Sequence, residues 1–81
     1  MRQGTPIPLT FEEHRQLGGE IRKTRAKLHQ LCDLVAAVYG PNNQAAFTFA
    51  RAVEAVDRLC LDLQAQASAD LPGYPTDTLY R

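Results

Sequence analysis

Two apolar runs, each spaced alternately by three and four residues, flank one internal breaker, Gly40-Pro41-Asn42-Asn43. This pattern leaves the chain few options. A sustained 3.6-residue period demands a long amphipathic helix. So short a breaker obliges the second helix to return along the first. In the first run His14, Leu17, Ile21, Thr24, Leu28, Leu31, Val35 and Val38 fall on one stripe. In the second, Phe49, Val53, Val56, Cys60, Leu63 and Ala67 do the same.

The ends of both runs carry helix signals. Thr10 with Glu13 forms a capping-box pattern, and Glu12 and Glu13 place negative charge at the positive end of the helix dipole. Gly40 suits the left-handed position just past a helix, and Pro41 cannot continue one. Asn42 or Asn43 can cap the returning helix through its side-chain oxygen. The predicted fold is therefore all-α, a single antiparallel helical hairpin. It comprises an extended arm over residues 1–9, helix 1 over 10–39, a turn at 40–43, helix 2 over 44–69 and a tail over 70–81. Gly4, Pro6 and Pro8 mark the arm, and Pro72, Gly73 and Pro75 end helix 2.

Gly18-Gly19 is the flaw in helix 1, because each glycine costs about 1 kcal/mol relative to alanine in a helix interior. Either the helix bends or breaks there, or the pair lets another backbone come close. Packing readily overrides propensity, so a continuous helix is the favoured reading.

The apolar sector of helix 2 is wider than one partner can cover. Phe47 and Leu61 lie to one side of its stripe, and Ala45, Ala52 and Leu59 to the other. Burying a Leu or Phe side chain is worth about 1.5–3 kcal/mol, so a lone hairpin forgoes several such gains. The economical solution is a homodimer or higher oligomer that closes a four-helix bundle. Its predicted interface is Phe47, Phe49, Val53, Val56, Leu59, Leu61 and Leu63.

Composition narrows the function classes. Nine basic and nine acidic residues cancel, so global charge steers the chain neither to nucleic acid nor to acidic lipid. No apolar run approaches the roughly 20 residues of a membrane span, and the first residues lack the apolar core of a signal peptide. With only two cysteines the chain is no disulfide scaffold, and a cytoplasmic, reducing compartment is the expected location.

Candidate chemistry is sparse. Arg15, Arg22, Lys23, Arg25 and His29 form a basic stripe on helix 1 that can contact phosphates or an acidic partner. No aromatic residue is interleaved with it and no helix-turn-helix spacing is present. Folding back about the turn brings Asp57 level with Arg25, and Asp33 level with Arg51. His14, adjacent to Glu13, does not make the Glu-x-x-His pattern of a bundle metal site; it is expected to pack over Leu9 as a hydrophobic staple. Cys32 and Cys60 stand at unequal distances from the turn, on the order of 15 Å out of level, so no intrahairpin disulfide is expected. Ser68 is the single serine, and no nucleophile–base pattern or phosphate loop accompanies it. No metal, cofactor or enzymatic activity is expected. In the tail, Leu71, Tyr74, Leu79 and Tyr80 make a docking segment for a neighbouring protomer or another protein.

The sequence thus predicts a small non-enzymatic interaction or scaffolding protein, an accessory subunit that self-associates and binds a larger partner. The alternative is a regulatory nucleic-acid-associated protein acting through the basic stripe.

Overall fold

The computed structural model describes residues 7–81. Two helices account for most of them, α1 over Phe11–Tyr39 and α2 over Gln44–Asp70. The extended arm was expected over 1–9; residues 7–9 are non-helical, and the remainder of that segment lies outside the described residues.

Each helix starts where its cap dictates. The Thr10 hydroxyl accepts from the Glu13 amide at 3.1 Å, while the Glu13 carboxylate accepts from the Thr10 amide at 2.9 Å. This reciprocal pair satisfies two of the donors that a helix start leaves unbonded. At α2, the Asn43 side-chain oxygen accepts from Ala45 and Ala46. Between them, Gly40 has φ +89°, a region glycine enters without strain, and its amide still bonds to Ala36.

α1 runs unbroken through Gly18-Gly19. The reason lies at Gly18, where the C-terminal tail crosses the helix. A Cβ built there would lie 2.9 Å from the carbonyl carbon of Leu79 and still nearer its oxygen. At Gly19 the same atom would meet nothing within 4 Å. The helical penalty of Gly18 is thus repaid by backbone-to-backbone approach, whereas nothing around Gly19 calls for a glycine.

On α2 the buried residues are Ala46, Val53, Cys60 and Ala67, a strict seven-residue line facing α1. Small side chains along that line let the helices pack closely. On α1 the buried positions are His14 and Gly18. Leu17 and Val38, expected in the seam, are 36% and 63% exposed. The tail crosses α1 at Gly18, beside Leu17, and Val38 lies next to the turn at the other end of the helix.

The main core is at the end of the hairpin away from the turn. Cys60, Ala67, Leu79 and Tyr80 form it, with Phe11, Ile21 and Leu63 packed against it. The molecule is otherwise a slab measuring 45 × 28 × 17 Å. Its thinnest dimension holds one layer of helices, each about 10–12 Å across with its side chains.

Candidate interaction surfaces

The tail is tied down by polar groups as well as by its core side chains. Helix α2 ends at Asp70 against Pro72-Gly73, and Gly73 turns the chain back with φ +89°. Turn bonds from Tyr74 to Leu71 (3.1 Å), Thr76 to Tyr74 (2.9 Å) and Leu79 to Thr76 (3.2 Å) keep the segment compact. The Gln64 side-chain amide then grips it twice, accepting from the Tyr80 amide at 3.0 Å and donating to the Thr76 carbonyl. Ser68 and Thr76 share a hydroxyl hydrogen bond of 3.2 Å. Finally, the Tyr80 hydroxyl reaches His14 Nδ1 at 2.6 Å.

His14 is therefore not primarily a staple over Leu9. It is almost wholly buried, edge-on to the Tyr80 ring, and the two ring centroids are 5.8 Å apart. Leu9 does help line the cavity beside it. The four residues expected to dock elsewhere behave differently from one another. Leu79 and Tyr80 are buried against this chain's own helices, Leu71 is half-buried, and Tyr74 stacks on Phe11 while staying 55% exposed. Sequence reasoning missed Gln64, Ser68 and Thr76, since isolated polar residues at a helix face and in a tail carry no spacing signal.

Burial holds the Tyr80 phenol above its usual range, and the neighbouring Cys60 pushes in the same direction. The neutral phenol is the form that docks. The resulting stability is complete below the ordinary tyrosine range near about 10 and is lost as pH rises through the elevated value. An alkaline absorbance titration should therefore show a delayed tyrosine phase coincident with tail release. Tyr80→Phe should abolish that phase; its persistence would mean that Tyr80 is not the buried phenol.

The predicted basic stripe is largely engaged locally. Arg15 makes a two-bond fork to Glu12 at 2.9 and 2.6 Å, which raises the guanidinium's affinity for its proton and lowers that of the carboxyl. Arg22 donates to the Gly18 carbonyl at 3.1 Å, and Lys23 lies 3.8 Å from Glu20. Arg25 does not meet Asp57; it reaches the Tyr80 carbonyl at 3.5 Å. Asp57 pairs instead with His29 at 2.9 Å, one helical turn closer to the hairpin turn than expected. These exposed pairs set register more than stability.

The predicted oligomer interface divides in two. Val53 is buried and Leu63 packs on the core, so the hairpin itself uses both. Phe49 and Val56 are half-buried, while Phe47, Leu59 and Leu61 are exposed. Near the turn, Leu28, Gln44, Ala45, Thr48, Phe49 and Ala52 line a shallow groove of about 720 Å³ without a charged group. Leu59 stands seven residues beyond Ala52 on the same face of α2, farther from the turn, while Leu31, Val35 and Val38 carry the α1 stripe on from Leu28 toward the turn. Phe47 and Leu61 lie on the opposite flank of α2, where the Arg51 guanidinium sits 5.9 Å from the centre of the Phe47 ring.

Among the described residues, no cluster of three or more His, Cys, Asp or Glu side chains could hold a metal ion. No helix is long and apolar enough to cross a membrane. Comparison with protein-family models, with curated proteins and with solved structures finds no match for this chain.

Proposed function

We propose that this chain is a non-enzymatic helical subunit. Two copies pair through the uncharged face near the turn, close a four-helix bundle and present it to a larger partner protein. The observation that carries the reading is the open groove between Leu28 and Ala52 on a slab only 17 Å thick. Folded domains bury apolar faces between at least two packed layers, and the hairpin supplies one.

Area supports a second copy as the missing layer. The chain exposes 6008 Å² at a mass of 9.0 kDa. A compact monomer of that mass exposes about 4,900 Å². The excess surface is consistent with a slab that has no second layer. The walls also suit a two-fold arrangement, in which each contact occurs twice. Large side chains on α1, namely Leu28, Leu31 and Val35, can seat against small ones on α2 of the other copy, namely Ala45, Thr48 and Ala52. No charged side chain lines the groove.

Light scattering after size exclusion tests this directly. The wild type should run as a discrete dimer. Leu59→Asp, on the face of α2 that carries the groove, should shift the mass to that of a monomer, and Leu61→Asp, on the other flank, should leave it unchanged. A monomeric wild type would overturn the self-association reading. Dissociation by Leu61→Asp alone would place the interface on the wrong flank.

A further inference from the structure

At the end of the hairpin away from the turn, one buried side-chain polar atom among the described residues has no hydrogen-bond partner, His14 Nε2. His14 is 1% exposed. With Ile7, Pro8, Leu9, Leu63, Gln66 and Asp70 it lines a cavity of about 300 Å³. Leu9 and Leu63 are half-buried, while Ile7 and Pro8 are exposed and make the outer wall, so the cavity opens to solvent beside the arm. Asp70 is the one carboxylate in the lining. Its Oδ1 accepts from the Gln66 amide at 2.9 Å, and its Oδ2 lies 3.8 Å from His14 Nε2.

The hydrogen on the ring follows from its other neighbour. The Tyr80 hydroxyl lies 2.6 Å from Nδ1 and is buried with no second acceptor in bonding reach. Burial favours the neutral phenol, and a buried phenol that does not donate is left with an unpaired hydrogen. Tyr80 therefore donates to Nδ1, and in a neutral imidazole whose Nδ1 accepts, Nε2 carries the hydrogen. The cavity thus presents a donor, Nε2–H, and an acceptor, Asp70 Oδ2, 3.8 Å apart. That is too long for a direct bond, but a single oxygen about 2.8 Å from each spans it. Such an oxygen has to accept and donate at once. A hydroxyl does both; an ammonium cannot accept, and an ether or carbonyl cannot donate.

We propose that this cavity binds a small aliphatic alcohol, whose hydroxyl accepts from His14 and donates to Asp70 while its hydrocarbon body lies against Ile7, Leu9 and Leu63. A water molecule matches the polar pair equally well but leaves the apolar walls wet, so a hydroxyl with hydrocarbon attached fits the whole lining better. A cavity of about 150 Å³ already holds benzene, and the space here is enough for a pentyl chain.

The test is a proton–nitrogen correlation titration of the full chain with n-pentanol. Amide shifts at Leu9, Leu63, Gln66 and Asp70 should saturate together in the millimolar range, and the His14 Nε2–H resonance should move with them. n-Pentyl fluoride keeps the hydrocarbon body but cannot donate, and should bind about tenfold more weakly because the polar pair is left unmatched. Asp70→Ala should produce a similar loss of pentanol affinity. The absence of any saturable shift at these residues overturns the proposal, since water alone then serves the pair. Equal binding of the alcohol and the fluoride overturns the role of His14 and Asp70. Tighter binding of n-pentylamine than of n-pentanol overturns the hydroxyl assignment in favour of a cation held by Asp70. Shifts confined to Leu28, Ala45 and Phe49 place the alcohol in the groove near the turn, which also overturns the site.

Discussion

Tyr80→Ala is expected to be the most damaging single substitution in this chain, costing about 3–5 kcal/mol, the range for emptying a buried aromatic site. Tyr80 is 1% exposed, and it sits in the main core with Cys60, Ala67 and Leu79. A single core in a protein of this size supplies only roughly 3–5 kcal/mol net. The variant should therefore lose the docked tail and unfold at a much lower urea concentration. Tyr80→Phe keeps the ring but leaves His14 Nδ1 unpaired, and should cost about 1–3 kcal/mol. Equilibrium urea denaturation of the three proteins checks this. Equal midpoints for wild type and Tyr80→Ala would show that the tail does not contribute to the core.

Gly18→Ala and Gly19→Ala should act in opposite directions although they are neighbours on one helix. Alanine improves helix propensity by about 1 kcal/mol at either position. At Gly18, however, the new methyl collides with the Leu79 carbonyl, a backbone group that cannot rotate away, and overpacking of this kind costs roughly 1–3 kcal/mol. The net effect should be a loss of stability with release of the tail. At Gly19 nothing lies within 4 Å, so the propensity gain should appear almost whole, at about 0.5–1 kcal/mol. Thermal melts of the two variants decide the point. If both were stabilised, the tail would not cross α1 at Gly18.

Together these effects divide the hairpin into two ends with different duties. The end away from the turn is closed by the chain's own tail, which buries Leu79 and Tyr80 against Cys60 and Ala67. The end near the turn keeps Leu34 and Val38 in contact with solvent, and Leu59 is exposed farther along α2 beside the core residue Cys60. The proposed dimer uses the face of α2 that carries the groove and Leu59.

Much of the fold was legible because it is governed by local rules. The capping box at Thr10, the break at Gly40-Pro41 and the Asn43 cap each act within a few residues of chain, where stereochemistry alone sets the outcome. The seven-residue line on α2 was nearly complete as read, with Ala46 its one unlisted member. The candidate surfaces were less legible. The wide apolar sector of α2 was read as one interface, and only packing separates Val53 and Leu63, used within the hairpin, from the exposed Leu59 and Leu61 on opposite flanks of the helix.

What the sequence determined by itself is the pair of helices, their caps and their antiparallel return, because periodicity and capping are properties of contiguous residues. What the tertiary structure decided is where the tail goes. His14 meets Tyr80 across 66 positions of sequence, and Gly18 is matched to Leu79 by a close approach of two backbones. Contacts of that range depend on how the hairpin's faces are shared between helix, tail and solvent, a competition for buried area that no local pattern records.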